Sequence, residues 1–205
     1  VGDSCHLVME EGLRQPGSPP TVPQKGVDVP PPSQIKLFHF THVDHVASIA
    51  RTGLLSDGKE PDLQHEAGDR EIKARRRRQI IDASPGGVVA DYVPFYFAPR
   101  SPMMYSISRG NVPTFTVHHH ELVYLCTTME RLEELGLDIV VSDRNAAKAI
   151  ALFSSERLEW SEDGFIDWPL MTAQMWSNDP QHPDRMGRRM AGCLVHDFLP
   201  WEAVL

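Results

Sequence analysis

DYVPFYFAPRSPMMY, residues 91–105, is the stretch whose reading decides the fold. Tyr92, Val93, Phe95, Tyr96 and Phe97 are aromatic or β-branched, the residue types that fit a pleated surface covered by other elements, so they predict a short buried strand. Pro94 has no N–H to give a central ladder, which predicts an edge strand, a bulge or a strand start. Pro99, Arg100, Ser101 and Pro102 form a stiff turn that fixes Arg100, and a second apolar run follows from Met103 to Ile107. Taken alone, the stretch reads as a core hairpin with an arginine facing solvent.

Upstream, the alternation in IKLFHF from Ile35 predicts a first strand, and Thr41 suits the N-cap of a helix from Val43 to Thr52 that Gly53 ends. His42 falls at the corner, where a ligand meets both a side chain and free helix N–H groups. Leu54 to Glu66 lacks a clear period and predicts a mobile loop. Glu71 to Ile81 reads as a short basic helix, and its four consecutive arginines, Arg75 to Arg78, cannot all face one side.

Downstream, Thr114 to Val117, Leu122 to Thr127, Asp138 to Ser142 and Leu194 to His196 predict strands. Met129 to Leu135 predicts a helix closed by Gly136, Asp143 is the expected N-cap of a helix through Leu152, and Pro169 opens a helix to Trp176. His118, His119 and His120 are adjacent, without the spacing of a usual metal site, and no metal is expected.

At 205 residues, 41% of them hydrophobic, the chain can bury one core. Residues 1–33 are rich in Pro, Gly and Ser and predict a disordered segment, leaving 34–205 as the folded domain. Without a long apolar run or a basic-then-apolar leader, a cytoplasmic protein with no membrane partner is expected. Three cysteines with no paired spacing, Cys5, Cys126 and Cys193, argue against a disulfide framework and a zinc site. The net charge of −8 repels nucleic acid over the surface as a whole, so any such binding needs a local patch. Arg70, Lys73 and Arg75 to Arg78 supply one.

In this order FHFTHVDHVASIARTGLL, IKARRRR, GGVVADYVPFYFAPRSPMMY, DRNAA, FIDWPLMTAQMW and NDPQHPDRMGRRMAGCLVHDFLP resemble the DarT family from about Ile35 to Leu205. These are toxins of toxin–antitoxin pairs that transfer ADP-ribose from NAD to a base of single-stranded DNA. The resemblance implies an α+β ADP-ribosyltransferase-like fold, two small sheets flanking an NAD cleft, with single-stranded DNA and a macrodomain-type antitoxin as partners. It implies NAD contacts at Thr41, His42, His45, Gly53 and Arg76, with His42 on the nicotinamide-proximal ribose and Arg76, or a neighbour, on the diphosphate. A guanidinium fork suits a diphosphate through paired charge-assisted bonds. Arg100, Tyr96, Met103 and Tyr105 are the expected DNA contacts, since stacking plus a basic group is how single strands are held.

One position departs from the family pattern. Where relatives carry R-x-A-E-x-L-V, this chain reads Arg189-Met190-Ala191-Gly192-Cys193-Leu194-Val195, so Gly192 stands in the place of the catalytic glutamate. That carboxylate steadies an oxocarbenium-like sugar and takes the proton from the attacking base, and glycine does neither. Either the enzyme is silenced at this position, by design or by decay, or the chain is a non-catalytic NAD- or DNA-binding remnant of the fold. The family pattern also continues past Leu199-Pro200 with a further strand and helix, so the resemblance implies a chain cut short at its C-terminus.

Overall fold

The computed structural model describes residues 29–59, 70–112, 118–160 and 164–205. In chain order the elements are β1 (Lys36–His42), α1 (Val46–Thr52), β2 (Leu54–Leu55), α2 (Arg70–Arg76), β3 (Tyr92–Tyr96), α3 (Pro102–Ser108), β4 (Leu122–Thr128), α4 (Met129–Glu134), β5 (Ile139–Ser142), β6 (Phe153–Ser154), α5 (Arg157–Trp160), α6 (Trp168–Thr172), α7 (Arg185–Arg188), β7 (Gly192–His196) and β8 (Phe198–Leu199). Strands β4-β1-β3-β7-β5-β6 form one antiparallel sheet, and β2 pairs with β8 in a second. This is the expected α+β fold. Residues 1–28, the end of the expected 54–66 loop and the expected strand at 114–117 lie outside the described residues.

The large sheet divides its side chains by the two-residue period of a strand. Val93, Phe95, Val141, Cys193 and Val195 enter the main core with Leu37, Met129, Leu132, Trp160 and Leu170. Tyr92, Val140 and Leu194 point to the other face and pack with Ile81 and Val89.

β3 runs through the middle of this sheet in continuous register with β7, and Pro94 is its third residue, which corrects the expectation of an edge strand, a bulge or a strand start. It pairs with β7 over its whole length, from Tyr92↔His196 to Tyr96↔Gly192, but with β1 only at Phe38↔Tyr96. The bonds Phe97 N–H to Ala191 O and Asp197 N–H to Asp91 O turn the odd-numbered amides of β3 toward β7. Pro94 therefore directs its missing donor at β1, on the side where the sheet splays, and costs no ladder bond. The six strands thus behave as two leaves, β4-β1 and β3-β7-β5-β6, joined at one residue pair.

Three further expectations change. Met103 to Ile107 forms no second strand of a hairpin: Pro102 at the first turn and Ser101 Oγ, which accepts the Met104 N–H at 3.2 Å, start α3 instead. The cap at the end of β1 is His42, whose Nδ1 accepts the Asp44 N–H at 3.2 Å, while the Thr41 hydroxyl meets His45 Nδ1 at 3.2 Å. Residues 143–152 are turns rather than a helix. The Asp143 carboxylate accepts the Leu152 N–H at 2.9 Å and binds Arg144, and the Asn145 side chain accepts the Ala147 N–H, so side chains take the roles of helical carbonyls.

Candidate active site

Where β1 and β3 part, the carbonyls of β3 on that side have no strand to pair with, and side chains satisfy them. His39 Nδ1 lies 2.8 Å from the Pro94 oxygen and donates to it. The Arg76 guanidinium, from the end of α2, donates to Tyr92 O at 3.0 Å and Val89 O at 3.4 Å. Burial pulls the arginine below its ordinary pKa, against the raising influence of Asp57, and it remains a cation. Its Nε is buried, with no hydrogen-bond partner among the described residues. Burial, opposed by the Pro94 bond, brings the His39 pKa down to about 4, so this ring is neutral at neutral pH.

The parting opens a cavity of about 740 Å³, within the range that holds a dinucleotide or a drug-sized ligand. It collects most of the residues expected from sequence. Thr41, His42 and His45 come from the end of β1 and the turn into α1, Gly53 from the end of α1, Arg76 from α2, Tyr96 from β3, Met103 from α3 and Gly192 from the start of β7. Residues as far apart in sequence as Thr41 and Gly192 share one wall because β3 carries β1 on one side and β7 on the other.

His42 is buried; its Nδ1 lies 3.2 Å from the Asp44 N–H and 3.5 Å from Asp44 Oδ2, and its Nε2 lies 3.5 Å from Glu121 Oε2. Gly53 has φ +79° and a Cβ there would lie 2.7 Å from Leu199 O, so only glycine fits. Tyr96 stacks nearly parallel on Phe40 at 6.3 Å, and its hydroxyl points at Met103 Sδ, 3.8 Å away.

Gly192 is buried between Tyr96 and Ser142 in the ladder. A Cβ there would come closer than 3.0 Å to the Phe95 carbonyl oxygen and lie 3.1 Å from its carbon. The strand has closed over the position to a degree that only glycine allows.

Two expected residues stay outside. Arg100 is exposed on the turn, where its carbonyl accepts a bond from Arg189 Nε at 3.3 Å. Tyr105 projects from the other side of α3, meets Trp176 edge-on at 5.7 Å and lies under the Arg109 guanidinium at 5.2 Å. The sequence reading missed His39, the Asp57–Lys73 ion pair at 3.1 Å and Asn145, all on the cavity wall. His39 carried a signal as a histidine inside an otherwise apolar strand, and Asn145 stands inside the DRNAA motif without having been given a role. The three histidines at 118–120 cluster with ring centroids 4.1 to 6.1 Å apart, and among the described residues no cluster of His, Cys, Asp or Glu is arranged to hold a metal ion.

The sequence model of a family described as "ssDNA thymidine ADP-ribosyltransferase, DarT" matches residues 38–205. The chain belongs to the DarT family. A DNA ADP-ribosyl transferase of Thermus aquaticus is 32% identical over 184 residues, 89% of this chain and 78% of the relative. Among solved structures, Thermus sp. 2.9 DarT in complex with ADP-ribosylated single-stranded DNA superposes with a TM-score of 0.76 at 32% identity, covering 84% of this chain and 80% of that one. The same Thermus DarT in complex with NAD+ gives a TM-score of 0.73 at 31% identity, over 85% and 80% of the two chains. No helix among the described residues is long and apolar enough to cross a membrane.

Proposed function

We propose that the chain is a DNA ADP-ribosyltransferase in which the 740 Å³ cavity takes NAD, and a base of single-stranded DNA, thymine or guanine, receives the ADP-ribose. The observation that carries this reading is the convergence of Thr41, His42, His45, Gly53, Arg76 and Gly192 on one cavity in a chain of the DarT family. The Thermus neighbours bound to NAD+ and to ADP-ribosylated DNA support the two ligand classes.

In this reading the polar end of β1 binds the ribose next to nicotinamide, with His42 Nε2–H as donor. Arg76 faces the diphosphate, its buried Nε being a donor without an acceptor among the described residues. The glycosidic bond to nicotinamide breaks, its electron pair leaves with nicotinamide, and the sugar cation is captured by a base nitrogen that then loses its proton. Gly192 occupies the place from which a carboxylate would steady that cation and take that proton. Transfer is therefore slowed, by about 10² to 10⁴-fold for the lost base alone. Tyr96 and Met103 line the α3 side of the cavity and in this reading meet the acceptor base, and a macrodomain-type antitoxin is the expected partner that removes the product.

A second reading, a non-catalytic remnant that still holds NAD or DNA, is favoured by the closure of β7 over Gly192. The two separate on incubation with NAD and a mixed-sequence single-stranded oligonucleotide, followed by mass spectrometry. An ADP-ribose adduct, even a slow one, supports transfer. Calorimetric binding of NAD with no adduct after prolonged incubation supports the remnant.

A further inference from the structure

A second cavity, of about 440 Å³, lies beside the first. Arg75, Arg78 and Gln79, at the end of α2, form one wall, and Ala147 to Ile150 form the other. Arg75 and Ala147 line both cavities, so the smaller one is an outward continuation of the larger. We propose that this groove carries the sugar–phosphate backbone of the single strand that flanks the base presented to the main cavity. The proposal rests on the reading of the chain as a DNA ADP-ribosyltransferase.

The arginine run divides by helical geometry. Arg76 turns inward to the carbonyls of β3, whereas Arg75 and Arg78, three residues apart, share the outer face. Each anchors its Nε to a carbonyl one turn back, Arg75 to Glu71 at 3.5 Å and Arg78 to Ala74 at 3.2 Å, which leaves the terminal guanidinium nitrogens directed outward. Among the described residues no carboxylate pairs with either side chain. Lys148, across the groove, is held by Asp184 at 2.8 Å. In a chain of net charge −8 this is a local surface that attracts a polyanion. Apart from Lys148, which Asp184 neutralises, the facing wall is apolar, with Ile150 61% exposed, and suits sugar and base edges rather than a second row of phosphates. Continuity with the cavity favours a nucleic acid strand over an acidic polypeptide, because the strand must leave the site on which its base is presented.

The test is fluorescence anisotropy of a labelled mixed-sequence oligonucleotide, without NAD, over a range of salt concentrations. The unaltered chain is compared with Arg78→Ala, whose side chain lines the groove alone, and with Arg157→Ala, which changes net charge outside both cavities. Thermal melting establishes that each variant is folded, and stabilisation by NAD is measured alongside. Arg78→Ala lowers the salt slope by about 0.7 and weakens binding about fivefold at 0.1 M salt, with NAD stabilisation unchanged and Arg157→Ala behaving as the unaltered chain. Equal effects of the two variants, an unchanged slope, or a loss confined to NAD would overturn the proposal. So would displacement of the oligonucleotide by poly-L-glutamate as readily as by unlabelled DNA of equal charge. If the unaltered chain binds no DNA at all, the underlying transferase reading fails as well, whereas a loss confined to the groove leaves that reading standing.

Discussion

Replacing Gly192 by alanine adds one methyl group at the tightest point of the sheet. The new Cβ would meet the Phe95 carbonyl at less than van der Waals distance, and the obstacle is backbone, not the far end of a flexible side chain. β7 cannot slide away, because β3 and β5 hold it on both sides in register at Tyr96 and Ser142. Relief therefore requires β3 and β7 to separate locally. Overpacking of a well-packed interior costs about 1 to 3 kcal/mol, and a lengthened ladder bond adds about 1 kcal/mol. Against this, alanine restricts the unfolded chain, a stabilising effect of about 0.4 to 1 kcal/mol. The steric term wins, and a net loss of about 2 kcal/mol is expected. For a domain of this size that lowers Tm by about 4 to 8 °C. Urea denaturation followed through the buried Trp160 should show a lower midpoint with an unchanged slope. A midpoint equal to or above that of the unaltered chain would refute the claim that β7 has closed over a glycine.

Other perturbations test the walls of the site. Arg76→Ala strips the Tyr92 and Val89 carbonyls of their donor; a loss of about 1 to 3 kcal/mol in urea denaturation and a weaker calorimetric affinity for NAD are expected, and unchanged values would deny the residue both roles. Arg189, 3% exposed, donates to the carbonyls of Arg100, Leu170 and Ala173, so Arg189→Ala should cost about 3 kcal/mol and uncouple the turn before α3 from α6, seen as faster proteolysis there. His39 titrates near 4 in the fold against 6.5 in a free chain. Between these values the unfolded chain binds the extra proton, so the contribution is complete above pH 6.5 and is lost as the pH falls toward 4, to a total on the order of 3 kcal/mol. His39→Gln, which can still donate to Pro94, should flatten the stability profile over that window and leave it unchanged above.

Strands β1, β3, β4, β5 and β7 were legible because their chemistry is local. The alternation in β1 and the aromatic run of β3 each name a buried face, and the family's ordered motifs supplied the cavity residues. What sequence could not show is how neighbours change the cost of a residue. Pro94 reads as an edge signal, yet it sits mid-sheet because its missing donor faces the side where β1 has already turned away. Asp143 reads as a helix cap, yet its carboxylate spans nine residues to Leu152 and holds a turn. Met103 to Ile107 has the composition of a strand, and Ser101 and Pro102 decide for a helix. The departure at Gly192 was visible in sequence, but its closure against Phe95 depends on a strand almost a hundred residues away.

The most direct measurement of the central claim is the rate at which NAD-dependent ADP-ribose appears on a single-stranded oligonucleotide, by mass spectrometry, for the unaltered chain, Gly192→Ala and Gly192→Glu. Both variants bring the same Cβ against the Phe95 carbonyl, and only one adds a carboxylate. The account predicts that Gly192→Glu transfers at least about 10²-fold faster than the unaltered chain, while Gly192→Ala gains nothing. Equal rates in all three, or no adduct from a Gly192→Glu chain that is folded and binds NAD, would contradict it.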